Sequence, residues 1–226
     1  LIEIVKHLPF IRKVKKDLLE IVKKENITTV VLIDYPGFNL NIAEKLKSMG
    51  VKIVYYISPQ VWAWGAKRIK KIKRLVDKML VVFPFEKKMY EDAGVNVEFV
   101  GHPLIEKAGS YNYMDKAGFF EKFGLDKTKE ILLLYPGSRK QEISAIFPEM
   151  ILAAEKICLK FNLQPVVGCS SNFDESVFYN LTDRKNFFVI KGHSYDLMKH
   201  SHFGIIKSGT STLEAGMFAL PMVIVY

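Results

Sequence analysis

The 226-residue chain carries only two cysteines, Cys158 and Cys169. Two are too few for a disulfide scaffold, and neither stands in a His/Cys spacing that would bind zinc, so no metal site is expected. Buried free thiols are the plain expectation for both. The chain also lacks any apolar run near the ~20 residues that cross a bilayer. Apolar stretches such as 79–85 and 222–226 have the length of strands. Internal repeats and low-complexity segments are missing too, which sets aside solenoid and fibrous architectures. Acidic residues are scarce: 24 Asp and Glu stand against 33 Lys and Arg, a formal charge of +9.

What remains is a globular composition, 49% hydrophobic and 25% charged, in a chain long enough for one large core or two smaller ones. The basic excess gathers in two stretches, 6–24 and 67–78. Clustered cations suit nucleic acid, anionic lipid or an acidic substrate, and equally a solvated helix face. No helix-turn-helix, zinc-finger or RNA-recognition signature is present, so no nucleic-acid partner is expected.

Periodicity organises the rest. Apolar residues Ile4, Leu8, Ile11, Val14, Leu18, Leu19 and Val22 recur at helical spacing, with Pro9 expected to split that stretch into two segments. Residues 28–33 (TTVVLI) form a continuous β-branched run, which predicts a strand covered on both faces. A turn at 34–37 follows, then a helix over 43–49 ending at Gly50. Strands at 51–57, 79–83 and 97–100 alternate with helices at 68–76 and 86–93, the pattern of a parallel sheet. Residues 101–129 read as a connection with a short helix near 115–123, and the boundary is placed at Gly109. A second series begins at the strand 130–135, with a helix at 143–159 and strands opening at 165, 187, 204 and 222. Helices at 195–200 and 212–218 separate the last of these. The fold class expected is α/β: two Rossmann-like domains, 1–109 and 110–226, whose parallel sheets face a cleft.

Candidate chemistry lies where strands pass into helices. KSGTSTLE (207–214) places Ser208, Gly209, Thr210 and Ser211 between a strand and a helix. Unpaired amides and the helix dipole at such a turn suit a diphosphate, and Glu214 one turn on suits ribose hydroxyls. Ser211 and Glu214 also fit a simple capping box. PGSR (136–139) is a second such turn, where Arg139 suits a phosphate or carboxylate, or simply faces solvent. Both turns fall at the carboxyl ends of strands, where open parallel sheets bind ligands. Asp34 ends the first strand and fits either a general base or an Asx-turn. The loop 58–64 (SPQVWAW) and His102 fit a sugar-binding or apolar surface, and equally packing at a domain junction.

IDYPGFN (33–39), YISPQVWAW (56–64), FPFE (83–86), FVGHP (99–103), YPGSRKQEI (135–143) and SGTSTLE (208–214) occur in this order. The ordered set resembles the lipid-A-disaccharide synthases, inverting glycosyltransferases of the GT-B fold, over essentially the whole chain. The resemblance implies transfer of 2,3-diacylglucosamine from its UDP derivative to 2,3-diacylglucosamine 1-phosphate. The UDP-sugar is then a substrate, and neither a cofactor nor a metal is needed for the chemistry. It implies Asp34 as general base, Arg139 near the nucleotide, Ser208 to Ser211 and Glu214 at diphosphate and ribose, and Gly192 with His193 at the uracil. Asn39, Ser58, Trp62 and His102 become candidates on the acceptor side. Acylated, anionic substrates imply a cytoplasmic enzyme peripheral on the anionic inner-membrane surface, docking through residues 1–19, Trp62 and Trp64. Gly37 stands where many members of the family have a second Asp, and their Gly-rich opening segment is not in the sequence. A chain truncated at both ends is the corresponding expectation.

Overall fold

The computed structural model describes residues 2–62 and 67–226. The chain divides into two compact units, Leu1–Pro103 and Leu104–Tyr226, a division six residues ahead of the Gly109 boundary. The helix Pro103–Gly109, in a stretch expected to be a connection, spans that point.

In the first unit, α1 (Ile2–Lys24), β1 (Thr29–Ile33), α2 (Pro36–Ser48), β2 (Lys52–Tyr56), α3 (Lys67–Leu75), β3 (Lys78–Val81), α4 (Pro84–Asp92) and β4 (Val97–Phe99) follow one another. The strands form a parallel sheet in the order β1-β2-β3-β4. Its core joins Ile53, Tyr55, Met79 and Val81 of the strands to Leu46, Ile72 and Tyr90 of the helices, all at 0–1% exposure. Each such side chain contributes about 1.5–3 kcal/mol by leaving water.

Two expectations need correction here. Pro9 does not split the first helix, since α1 runs unbroken through it. A proline removes the one amide bond to the residue four back, and here it stands within the first turns of a long helix whose later residues Leu19 and Val22 pack on the core. Nor is β1 covered on both faces: Leu32 is buried, but Val31 and Ile33 are each 56% exposed. The strand lies at the edge of its sheet, and its exposed Val31 and Ile33 alternate with half-buried Val30 and buried Leu32, so the run 28–33 buries one face only.

The second unit contains α5 (Pro103–Gly109), α6 (Lys116–Lys122), β5 (Glu130–Tyr135), α7 (Lys140–Phe161), β6 (Leu163–Cys169), α8 (Ser176–Asn180), β7 (Phe188–Lys191), α9 (Ser194–His200), β8 (Ser201–Lys207), α10 (Thr210–Met217) and β9 (Met222–Val225). Its parallel sheet has the order β7-β6-β5-β8-β9. β5 is central and covered twice. Leu132 and Leu134 pack with Ile143, Phe147 and Ile151 of α7, while Ile131 and Leu133 pack with Phe119, Leu197 and Met198 on the opposite face. Both cysteines are free, and burial pushes each thiol up, Cys158 to about 11.

The chain leaves β5 first toward β6 and β7, then reverses to β8 and β9. The reversal falls between β5 and β8. In open parallel sheets that gap at the carboxyl ends of the strands is where a ligand fits.

Candidate functional site

A cavity of about 250 Å³ occupies that gap. One wall comes from the end of β5 and the start of α7: Tyr135, Gly137, Ser138, Arg139 and Glu142. The other comes from the end of β8 and the start of α10: Lys207 to Ser211, and Glu214. The structure thus brings Arg139 together with Ser208, Gly209, Thr210, Ser211 and Glu214, as the motif reading expected of two turns at one sheet edge.

Local geometry decides between the two readings of the β8–α10 turn. The helix begins at Thr210, with Gly209 as its N-cap and no side-chain cap. Ser211 is therefore already inside the helix, two residues earlier than its expected start, and its hydroxyl donates to the Lys207 carbonyl at 3.2 Å. Glu214 does not reach back to cap the helix but accepts the Tyr195 hydroxyl at 3.1 Å. The capping box is not formed. Gly209 sits at φ 157°, ψ −161°, a region essentially restricted to glycine. A Cβ there would meet nothing within 4 Å, so the space before the turn is open. Amides opening a helix have no carbonyl one turn back within it to bond. Thr210 and Ser211 at the start of α10 line this cavity, while the neighbouring Ser208 and Thr212 amides bond the Val225 and Gly209 carbonyls at 2.7 and 3.1 Å.

Charge in the cavity is balanced internally. Glu142 Oε1 accepts from Arg139 Nη1 and from Lys207 Nζ, each at 3.0 Å. Lys207 above all, with Arg139 adding to it, holds the Glu142 carboxyl below the usual carboxylate range despite its partial burial. Gly137, at φ 113°, lets this happen, since a Cβ there would meet Glu142 Oε2 at 2.9 Å. Neither Glu142 nor Lys207 was a candidate from the sequence. An acid in the first turn of α7 was the available signal, but the pair spans 65 residues and no local pattern shows it.

Gly192 and His193 stand outside this cavity, at the end of β7. Gly192 takes φ 79°, and His193 is the N-cap of α9. They reach the cavity through the next residue, whose Ser194 hydroxyl lies 2.9 Å from the Tyr135 hydroxyl. Their turn is anchored from behind by Asp196, which is 0% exposed. Asp196 accepts from the Tyr111 hydroxyl at 2.6 Å, the Met114 amide at 2.9 Å and His193 Nδ1 at 3.0 Å. Burial alone would push the Asp196 carboxyl up, and these bonds outweigh it and hold the group below its ordinary value.

In the first unit the candidates lie at the carboxyl ends of four neighbouring parallel strands. Asp34 and Tyr35 both take left-handed backbone angles, φ 46° and 40°, a strained pair for non-glycine residues. Asn39 Nδ2 donates to the Ile33 and Asp34 carbonyls at 2.9 and 2.7 Å, and the Tyr55 hydroxyl donates to the Asp34 carbonyl at 2.6 Å. Burial, with the nearby Asp34 charge, raises the Tyr55 phenol, so it stays a donor. The exposed Asp34 carboxylate itself takes no hydrogen bond among the described residues. An Asx-turn is therefore not what holds this segment. Asn39 is a brace for the turn.

Ser58 is turned inward, 4% exposed, and donates to Glu86 Oε1 at 2.8 Å. Glu86 also accepts the Phe83 amide, and the Tyr90 hydroxyl holds the Pro59 carbonyl. Ser58 thus anchors the loop after β2 and offers no surface group. Trp62 is 52% exposed and meets Phe85 edge-on at 5.5 Å. Phe85 stacks on Phe83, which contacts the His102 ring at 5.3 Å. Trp64 lies outside the described residues. Among the described residues no three His, Cys, Asp or Glu side chains gather as a metal site, and no helix is long and apolar enough to cross a membrane.

Two parallel-sheet units, each with its polar turns at the carboxyl edge, define an α/β protein of the Rossmann-like class. Residues 1–226 match the family described as lipid-A-disaccharide synthetase, and the chain belongs to that family. It is 40% identical over 230 residues to the lipid-A-disaccharide synthase of Trichlorobacter lovleyi, covering 100% of the chain and 59% of the relative. The Myxococcus xanthus lipid-A-disaccharide synthase is 36% identical over 227 residues, with 99% and 59% covered. The chain thus spans about three-fifths of the length of these relatives. Among solved structures, a putative UDP-N-acetylglucosamine 2-epimerase of Listeria monocytogenes aligns with TM-score 0.65 at 12% identity, over 95% of this chain and 60% of that one. The Neisseria meningitidis UDP-GlcNAc 2-epimerase bound to UDP-GlcNAc gives 0.61 at 12%, over 95% and 63%. At that identity the likeness is one of fold.

Proposed function

We propose that this chain forms part of an inverting glycosyltransferase, a lipid-A-disaccharide synthase. It would move 2,3-diacylglucosamine from UDP-2,3-diacylglucosamine to the 6-hydroxyl of 2,3-diacylglucosamine 1-phosphate, releasing UDP. Family membership supports the reaction class. The observation that carries the nucleotide assignment is the cavity at the β5/β8 reversal, where a glycine-opened helix start faces Arg139.

Inverting transfer is one displacement at the anomeric carbon. The acceptor oxygen forms the new bond as the bond to the diphosphate breaks, and the hydroxyl proton passes to a base. Asp34 is the proposed base, an exposed carboxylate on a turn fixed by Asn39 and Tyr55. Negative charge grows on the departing UDP, and Arg139 with the Ser208, Gly209, Thr210 and Ser211 turn is assigned to receive it. Glu214, on the first turns of α10, is assigned to the ribose, and the Gly192–His193 turn to the uracil. Trp62, Phe83, Phe85 and His102 form the proposed acceptor-side surface, with Ser58 fixing the loop beneath it.

Membrane contact belongs to the same proposal. Trp62, Phe85 and Phe10 are 52–65% exposed, and the basic helices α1 and α3 share their unit. Aromatic rings and cations together suit an anionic lipid surface. Part of the α3 charge is used internally, since Lys71 and Arg74 pair with Glu44.

Calorimetric titration with UDP, with ADP as control, tests the nucleotide site. UDP-selective binding that weakens in Glu214→Ala is the expected result. A folded protein that binds neither nucleotide, or binds both alike, refutes the assignment. An epimerase would instead convert the UDP-sugar with no acceptor present, which the same preparation reports directly.

A further inference from the structure

The cavity at the β5/β8 reversal holds a second cation that the motifs do not single out. Lys207 is the last residue of β8, and its side chain is 23% exposed. Its ammonium has three donors, and the one bond it makes among the described residues goes to Glu142 Oε1 at 3.0 Å. Arg139 shares that oxygen, but its side chain is 80% exposed and comes from solvent. Lys207 is therefore the cation fixed in the wall, and Arg139 the one free to move.

Glu142 is held as firmly as its partner. It is 21% exposed, stands in the first turn of α7, and fills the space that a side chain on Gly137 would need. A carboxylate bonded to two cations in a small cavity occupies the place of a bound anion. With Glu142 and Glu214 set against Arg139 and Lys207, the cavity lining carries no net formal charge. An incoming diphosphate meets two cations already close together, since the carboxylate has offset their repulsion. It must then take them from that carboxylate.

We infer that Lys207 is a second diphosphate-binding residue of this site and that Glu142 is the displaceable counter-ion that holds it, and Arg139, ready. The inference rests on the nucleotide reading above. It requires the two residues to have opposite effects on ligand affinity. Lys207 donates to the phosphate oxygens, so removing it weakens binding. Glu142 competes with those oxygens, so removing its charge strengthens binding. A purely structural pair, fixing the start of α7 against the end of β8, would show the same sign from either side.

The experiment is titration of the intact protein with UDP, UMP and uridine, in the parent and in Lys207→Met, Lys207→Arg and Glu142→Gln. Lys207→Met is expected to raise the Kd for UDP about tenfold, the worth of one charge-assisted hydrogen bond. It should leave uridine unchanged and affect UMP less than UDP. Lys207→Arg keeps a cation and is expected to stay within about threefold of the parent. Glu142→Gln is expected to lower the UDP Kd by about threefold to tenfold, with uridine again unmoved. Thermal unfolding of each variant identifies any that fail to fold; should Lys207→Met be among them, Glu142→Gln still decides, since tighter UDP binding is expected and weaker binding overturns the inference. If Lys207→Met and Glu142→Gln both weaken UDP, or shift uridine as much as UDP, the inference is overturned while the nucleotide site stands. If the parent protein binds no UDP, the nucleotide reading falls and the inference with it.

Discussion

Asp34→Asn separates the proposed chemistry of the first unit from its architecture. The turn that carries Asp34 has two consecutive left-handed residues, φ 46° and 40°, each costing about 1–3 kcal/mol for a non-glycine residue. Three hydrogen bonds oppose that cost, two from Asn39 and one from Tyr55, each contributing about 0.5–1.5 kcal/mol. All three end on main-chain carbonyls, and none uses the Asp34 carboxylate. Asparagine tolerates left-handed angles as well as aspartate, so Asp34→Asn keeps every bond of the turn. Stability is expected to change by less than about 0.5 kcal/mol, while disaccharide formation falls about a hundredfold to ten-thousandfold with the loss of the base. Asn39→Ala is the complement. It removes two of the three bonds, for about 1–3 kcal/mol, and leaves the carboxylate in place. The assays are circular-dichroism melting and product formation from UDP-2,3-diacylglucosamine with the intact protein. An Asp34→Asn enzyme that keeps its melting temperature and more than about a third of its activity would refute the base, since general catalysis is worth far more than that.

The remaining predictions address the second unit and the lipid surface. Asp196→Asn leaves the Tyr111, Met114 and His193 donors facing a neutral amide at 0% exposure; it is expected to cost about 3 kcal/mol or more in urea unfolding, and a change below about 1 kcal/mol would show the network to be dispensable. The Glu142 carboxyl lies below its ordinary value of 4.5 in the folded protein. Its ion pairs therefore contribute full stability above that pH and lose it as the pH falls through the lower folded value. Glu142→Gln should flatten the acid side of the stability profile below pH 4.5, and an unchanged slope there would contradict the pairing. Trp62→Ser combined with Phe85→Ser should reduce co-sedimentation with anionic vesicles, and added salt should reduce it further. Undiminished sedimentation would move the contact elsewhere.

The alternation of strands and helices was legible because buried parallel strands write themselves as short apolar runs, as Ile131 to Leu134 do. The same signal misled at β1, where Val31 and Ile33 are as apolar as their neighbours yet exposed. An apolar run does not say whether its strand is central or at an edge. Pro9 misled in the other direction, since one missing amide bond does not end a helix held by later core contacts. At the site, the two turns were legible as motifs, but the start of α10 was not. Ser211 and Glu214 have the spacing of a capping box, and Gly209 with Tyr195 took both roles instead. The pairs that hold the site together, Lys207 with Glu142, Ser58 with Glu86 and Asn39 with the carbonyl of Ile33, are set by folding over 65, 28 and 6 residues. Only the last lies within reach of a local pattern.

The two units hold their polar groups by different physics, and that difference bears on how substitutions should read out. At the edge of the first unit, the side chains of Asn39 and Tyr55 fix the backbone, while the Asp34 carboxylate stays exposed. Nothing has to be displaced for that carboxylate to meet a hydroxyl, so a weakened brace spoils orientation. Orientation enters the rate of the chemical step more than the affinity. At the edge of the second unit each charged group of the cavity lining already has a partner, Arg139 and Lys207 in Glu142 and Glu214 in Tyr195. A ligand there exchanges one set of partners for another, and its affinity is the difference between two similar sums. Small changes in that difference appear directly as changes in Kd. On the proposed reaction, Asn39 and Tyr55 variants should therefore lower kcat with little change in KM, and Lys207 and Glu142 variants should move KM for the UDP-sugar. Variants of Asn39 that raised KM and left kcat intact would place substrate binding, and not base orientation, at the strained turn.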